Sequence, residues 1–342
     1  MIGHRRESSK VAGESKLQSI NGVLLMDPFA VMPSCATVIP ARASCTEEVA
    51  DTPRRLPRWL KRNIPKGHTH QLTAQILREL RLVTVCEEAR CPNRMECYSR
   101  KTATFMILGD ICTRSCRFCA VRRGKPAPPD PDEPRRIAEA VEKLGLNHVV
   151  ITCVTRDDLP DGGAEHFVRT IEAIRVRTAA TIEILPSDLG GNMEALDMLI
   201  DAAPEVYNYN TETVPRLYLP VRGPKADYKW TLEIFRHIRK RNPAIRTKTG
   251  MMLGLGETVD EVLDWLGELV HAGCQILTLG QYLQPGVRQI PVVRYVPPEE
   301  FRWLGELARR IGFREVAAGP FVRSSYRAGE LLQCSLIDPP CS

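Results

Sequence analysis

From Thr104 onward, short β-branched runs alternate with amphipathic stretches. The runs Thr104-Phe-Met-Ile-Leu108, His148-Val-Val-Ile-Thr152, Thr181-Ile-Glu-Ile-Leu185, Val206-Tyr-Asn-Tyr209, Ile245-Arg-Thr-Lys-Thr-Gly250 and Ile276-Leu-Thr-Leu279 read as strands. Between them, residues 134–144, 165–176, 193–202, 228–241 and 259–272 place apolar side chains three and four apart, as helices packed on one face do. A last such stretch spans residues 299–311. Asp132 and Thr258 stand where N-caps belong, and Gly145 and Gly273 where helices stop. Six strand–helix units in succession predict parallel strands in an α/β fold. Six units do not close a standard eight-stranded barrel, so the pattern allows a partial barrel or an open doubly wound sheet. In both, chemistry belongs on the loops after the strand C-termini.

Upstream of this region the periodicity disappears. Residues 1–55 are rich in Ser, Ala and charge and are expected to form a poorly ordered extension. Order is expected from Leu56-Pro-Arg-Trp-Leu60, with a short amphipathic helix over residues 73–82. The expected division is therefore an extension (1–55), a cysteine-bearing segment (56–103), the strand–helix body (104–318) and a C-terminal segment (319–342).

With 43% apolar residues in 342, the chain can bury one large core or two modest ones. The formal charge of +6 is mild and aromatics are only 6%, which argues against a dedicated nucleic-acid binder and allows an acidic protein partner. No stretch approaches the roughly twenty apolar residues of a membrane span. The longest early apolar run, from Val23 to Met32, is broken by Asp27 and Pro28 and makes no secretory signal. A reducing, cytoplasmic setting is expected, in which clustered cysteines read as ligands and not as disulfides.

Six of the twelve cysteines lie within thirty-four residues. Cys112-Thr-Arg-Ser-Cys116-Arg-Phe-Cys119 places three thiols on one tight loop just after the first strand. Three ligands on a four-iron cluster leave one iron open to a small molecule, an arrangement suited to chemistry more than to electron carriage. Cys86, Cys91 and Cys97, the first triplet in the chain, have wider spacing, which implies another cluster completed from elsewhere in the chain. Zinc is the rival for both triplets, although structural zinc sites pair two CxxC units and the triplets hold a single one, Cys116-Arg-Phe-Cys119.

The CxxxCxxC loop, with Phe118 before its third cysteine, resembles the signature of radical S-adenosylmethionine (SAM) enzymes. The first triplet together with Arg323-Ser-Ser-Tyr326 resembles, within that superfamily, the lipoyl synthase family. Segments 156–163, 212–218, 248–258 and 280–285 also resemble it, and the likeness runs from Leu56 to Leu332. The resemblance implies a partial parallel (β/α)6 barrel with two [4Fe-4S] clusters and S-adenosyl-L-methionine. One cluster, on Cys112, Cys116 and Cys119, would generate a 5'-deoxyadenosyl radical. The other, on Cys86, Cys91, Cys97 and Ser325 (Ser324 being the alternative), would be consumed as it gives two sulfurs to C6 and C8 of an octanoyl group. A hard alkoxide beside three soft thiolates holds iron weakly, which suits a cluster that is taken apart. Implied partners are octanoylated lipoyl carrier domains, namely 2-oxoacid dehydrogenase E2 subunits and the glycine cleavage H protein, and an electron donor protein. No nucleic acid or membrane is implied, and a monomer is expected.

Other positions carry less. Arg156, Asp157 and Asp158 follow the second strand, where they would contact SAM or, alternatively, cap and meet solvent. Arg122, Arg123 and Lys125 would face an acidic carrier or form a solvated loop. Gly254-Leu-Gly256 reads as a tight turn, and Cys153 and Cys274 as small buried hydrophobes. Cys35, Cys45, Cys334 and Cys341 have no ligand spacing. The chain departs from the family pattern at Cys153, usually Ser, and at Tyr209 and Gln289, where His is common; no catalytic role is assigned there. Two rivals from other classes are a methylthiotransferase, which would add a basic RNA-binding module not seen in the sequence, and a zinc-holding scaffold.

Overall fold

The computed structural model describes residues 56–61 and 69–336. The expected extension over 1–55 lies outside them, with Cys35, Cys45 and Cys341. All described residues belong to one unit, Arg55–Ser342.

Three short helices, α1 (Thr69–Glu79), α2 (Val85–Glu88) and α3 (Arg94–Ser99), lead to β1 (Thr104–Ile107). A ribbon of β2 (Ile111–Cys112) and β3 (Arg122–Arg123) follows, then α4 (Glu133–Leu144), β4 (His148–Cys153), α5 (Ala164–Arg177), β5 (Thr181–Leu185) and α6 (Met193–Asp201). Next come β6 (Val206–Asn208), α7 (Tyr218–Arg222), α8 (Tyr228–Arg241), β7 (Arg246–Leu253) and α9 (Val259–His271). The chain continues through β8 (Ile276–Gln281), α10 (Pro298–Ile311), β9 (Glu315–Gly319) and α11 (Ala328–Leu336).

The main sheet has seven strands in the order β1-β4-β5-β6-β7-β8-β9, all parallel. Its spatial order follows chain order without reversal. A doubly wound sheet needs a reversal of order, so the sheet is wound one way, like part of a barrel. The six strand–helix units appear as the pattern predicts, and a seventh strand, β9, is added. The small residues of Glu315-Val-Ala-Ala-Gly319 hide it from a β-propensity reading, and pairing from Ile276↔Glu315 to Gly280↔Gly319 makes it a strand.

Local chemistry explains most element ends. Thr258 and Glu261 form a reciprocal capping box at the start of α9. Gly145 ends α4 in the left-handed region (φ 65°), as a C-terminal glycine does. Asp132 corrects an expectation: it does not cap α4, because its carboxylate binds the Arg135 guanidinium instead. The helix expected over 73–82 begins at Thr69 and stops at Glu79, where Leu82 N–H turns back to Leu77 O and Arg81 takes φ 51°. On the outer edge of β1, Met106 N–H donates to Val83 O and Thr84 bridges Phe105, which covers an otherwise unpaired edge.

Apolar faces of the strands and helices, among them Phe105, Ile151, Ile182, Phe167, Phe235 and Leu266, meet in one core. A charged group also lies inside it. Glu183 on β5 and Lys248 on β7 are each 1% exposed or less and pair at 2.8 Å, and Asn208 on β6 donates to the same carboxylate at 3.0 Å. Burial alone would raise the Glu183 pKa, but the Lys248 ammonium and His148 bring it below its usual value. Lys248→Met should cost about 3–5 kcal/mol by leaving a buried carboxylate uncompensated. Glu183→Leu combined with Lys248→Met should recover most of that, as read from urea-unfolding midpoints.

Candidate active site

The second cysteine triplet sits on the loop that leaves β1. Leu108 and Gly109 turn the chain there in the left-handed region (φ 68° and 92°). Both backbone groups of Leu108 are held by buried side chains: its N–H donates to Glu133 Oε2 (2.9 Å) and its carbonyl accepts from Arg156 Nη1 (3.2 Å). The β2–β3 ribbon then closes the loop at its base, so Cys112 lies in β2 while Cys116 and Cys119 lie between the two strands. Arg114, inside the motif, makes hydrogen-bonded ion pairs with Asp157 (2.7 Å) and Asp188 (2.5 Å) from the loops after β4 and β5. Arg117 N–H donates to Val221 O, Ile290 N–H to Arg117 O and Gln289 Nε2 to Cys119 O (3.1 Å). α7 itself and the segment after β8 thus also hold the loop.

The first triplet occupies α2, the turn after it and α3. Its neighbour is the C-terminal segment, more than 200 residues away in sequence. Asn93 Nδ2 donates to Phe321 O at 2.7 Å, and Tyr326 Oη donates to Glu96 Oε1 at 2.7 Å. Gly280 permits the approach: a Cβ there would stand 2.1 Å from Val322 O. Ser325 is thereby set against Thr104, whose Oγ1 donates to Ser325 Oγ at 2.8 Å. Cys86, Cys91, Cys97 and Ser325 all line one cavity of about 500 Å³. Ser324 faces Asn210, which donates to it at 3.3 Å, and it does not line that cavity.

A second cavity, of about 370 Å³, is lined by cysteines of both triplets, Cys119 from one and Cys86 and Cys91 from the other, together with Ser325. Met251, Met252, Tyr282 and Val322 give it apolar walls, and Asn210 and Glu212 supply polar groups. Glu212 is a non-glycine residue at φ 66°, held there because its N–H donates to Gly250 O and its carbonyl accepts from Met252 N. Burial raises its carboxyl pKa, against the pull of Arg222. The Arg222 guanidinium lies 5.5 Å from the Tyr209 ring centroid and 5.3 Å from that of Tyr218.

Arg156, Asp157 and Asp158 are engaged with protein partners. Arg156, 1% exposed, pairs with Asp158 at 2.8 Å. The Arg114 guanidinium outweighs the burial of Asp157 and, with Lys225, brings its carboxyl down to about 2. Arg122 pairs with Asp110, and Arg123 is exposed. Cys274 is buried, as expected, whereas Cys153 is half-buried at the end of β4. The sequence reading missed Arg114, Asp188, Asn93, Glu96 and Asn210. For the C-terminal closure, the available signal was a glycine inside a strand run, at Gly280.

Residues 106–269 match the radical SAM superfamily, and residues 7–91 match the N-terminal domain of lipoyl synthase of that family. Over 82% of this chain and 89% of its own length, lipoyl synthase from Rhodopirellula baltica is 59% identical. The chain belongs to the lipoyl synthase family. Lipoyl synthases from Desulfotalea psychrophila (54% identical, covering 81% of this chain and 93% of their own) and Thermus thermophilus (52%, covering 80% and 86%) are further relatives. The crystal structure of methylornithine synthase is similar with a TM-score of 0.48 and 12% identity, covering 77% of this chain and 83% of that one. Membership makes the protein a radical SAM enzyme of the sulfurtransferase class. Among the described residues no helix is long and apolar enough to cross a membrane.

The donor sets fit the clusters that the family implies. Burial and the neighbouring Cys91 and Cys97 thiols push Cys86 up to about 12; burial and the neighbouring Cys116 and Cys112 thiols do the same to Cys119. Each triplet therefore gathers thiols, Cys86 buried and the other five half-buried, whose ionised forms repel one another, a set that cationic iron stabilises. Among the described residues no three His, Cys, Asp or Glu side chains converge on a point for a single metal ion. A cubane instead takes each thiolate on a separate iron, so its ligands surround a volume. The Tyr326–Glu96 bond is expected to pin residues 323–327. Tyr326→Phe should remove about 1.5–3 kcal/mol of local protection, measured as amide hydrogen exchange at least tenfold faster in that segment.

Proposed function

We propose that this enzyme inserts two sulfur atoms at C6 and C8 of an octanoyl group carried on a lysine of a lipoyl carrier domain. The observation that carries this reading is the one cavity lined by Cys119 of one triplet and by Cys86 and Cys91 of the other, with Ser325. Breaking an unactivated C–H bond is beyond side-chain acids and bases. When bound, SAM and the two [4Fe-4S] clusters supply a carbon-centred radical and sulfide. Cys112, Cys116 and Cys119 hold the radical-generating cluster, and Cys86, Cys91, Cys97 and Ser325 hold the one that gives up sulfur.

The protein's own part is to position groups and exclude water. Arg114, clamped by Asp157 and Asp188, fixes the radical loop relative to the strand ends. Arg156, held by Asp158, fixes the turn at Leu108, so Arg156, Asp157 and Asp158 serve cofactor binding through the loop that carries the cluster. Met251, Met252 and Tyr282 form a water-poor wall for an acyl chain. A carrier presenting its lysine arm and an electron donor protein are the partners in this reading.

Anaerobic metal and sulfide analysis should give about eight irons and eight sulfides per chain, and mass spectrometry of an octanoylated carrier peptide should show two added sulfurs. Zinc alone would sink the proposal. Cys91→Ala should still cleave SAM reductively while forming no thiolated product, whereas Cys116→Ala should do neither. Full sulfur insertion by Cys91→Ala would remove the reservoir role.

A further inference from the structure

The cavity lined by cysteines of both triplets opens where its lining is exposed, at Arg90, Pro92 and Gln284. Beside that mouth the chain after β8 makes a tight turn. Gln289 N–H donates to Gly286 O (3.1 Å) and Gln284 Nε2 to Gln289 O (2.8 Å), while Gln289 Nε2 fastens the turn to Cys119 O (3.1 Å). From the N-terminal segment, Arg90 Nη1 donates to Pro285 O at 3.1 Å. The turn is thus held from two sides, with Val287 and Arg288 at its tip.

The tip and its surroundings combine apolar surface with unpaired charge. Val287 is 98% exposed, and Leu219, 65% exposed, stands on α7, whose Val221 carbonyl receives Arg117 N–H. Ile290 N–H donates to Arg117 O, which brings Arg117 to the end of the same turn. Arg90, Arg117 and Arg288 are all exposed, and none forms an ion pair among the described residues. Of the carboxylates close to Arg90 in sequence, Glu87 lies 3.9 Å from Arg94 and Glu88 is half-buried. Exposed aliphatic side chains among guanidinium groups have the composition of an interface, and the charge that would complement this one is negative.

We propose that the Val287–Arg288 turn, with Arg90 and Arg117, is the face on which the acyl carrier docks, and that the carrier meets it with carboxylates set around its acylated lysine. The inference rests on the proposed function, in which an octanoyl-lysine arm enters this cavity. The arm is tethered and of fixed length, so the domain that bears it has to sit at the mouth. An electron donor has only to come near the radical loop and is not tied to this position. Because hydrogen bonds already fix the turn, docking orders little further chain.

The test uses the full chain with both clusters reconstituted and two probes. One is an octanoylated lipoyl domain of a 2-oxoacid dehydrogenase E2 subunit; the other is a glycine-flanked octanoyl-lysine tripeptide, which has the arm without the face. Arg288→Glu should raise the Kd for the domain about tenfold at low ionic strength, a loss that shrinks as salt rises, and Val287→Ser should raise it severalfold. Both variants should thiolate the tripeptide at the wild-type rate. Lys240→Glu, the same change of charge on α8 at the opposite end of the strands, should alter neither. A domain whose carboxylate nearest the acylated lysine is changed to Lys should bind Arg288→Glu more tightly than it binds the wild type, a reversal that requires the two faces to meet. Should Arg288→Glu fail to fold, as judged by circular dichroism, Arg288→Gln should give a smaller loss in the same direction. Wild-type affinity for the domain in the Arg288 and Val287 variants, with the tripeptide still thiolated, would overturn the docking face and leave the proposed function standing. A loss confined to reduction of the radical cluster by reduced flavodoxin would also overturn it, by assigning the face to the electron donor. A wild-type enzyme that thiolates neither probe would overturn the proposed function, and the docking face with it.

Discussion

The site depends on one long-range closure: the segment after β9 folds back over the first cysteine triplet and stays there. Two hydrogen bonds from opposite directions fix it, Asn93 to the Phe321 carbonyl and Tyr326 to the Glu96 carboxylate. The absence of a side chain at Gly280 lets the Val322 carbonyl approach β8 closely enough for both bonds to form. Without the closure, Ser325 would belong to an ordinary C-terminal loop. With it, the Ser325 hydroxyl lines the same cavity as the three thiols of Cys86, Cys91 and Cys97.

A second, shorter-range device complements the first. The CxxxCxxC loop has little regular structure beyond the β2–β3 ribbon, and a loop of that kind would sample many conformations. Arg114 reduces that freedom by reaching two carboxylates on neighbouring strand-end loops, and Leu108 is gripped at both its backbone groups by Glu133 and Arg156. The ligand-bearing loop is thus tied to the rigid sheet through charged side chains. Asp157 has its acidity set by Arg114 and Lys225.

The single direction of winding makes room for this arrangement. A sheet that follows chain order keeps its helices on one side and leaves the inner face to side chains such as Glu183, Asn208 and Lys248, with the strand C-termini around a common mouth. β1 and β9 are the ends of the strand order, and the seam at those ends receives the cysteine-bearing segment and the C-terminal return. The first cysteine triplet is therefore inserted where the sheet stops.

Most of the regular architecture was legible from the chain because strand and helix periods, caps and breakers are local. Thr258 and Gly145 act as their residue types predict, whereas Asp132 was captured by Arg135 and β9 was decided by pairing with β8. The cysteine triplets were legible for the same reason, since ligands of one loop must lie within a few residues of one another. The sequence by itself thus determined the strand–helix succession and both triplets. Tertiary structure alone decided the winding, the company Ser325 keeps, the clamp on Arg114 and the two cavities that the first triplet lines. Those features rest on contacts between residues tens to hundreds of positions apart, which no local spacing encodes and which form only when packing closes the intervening chain.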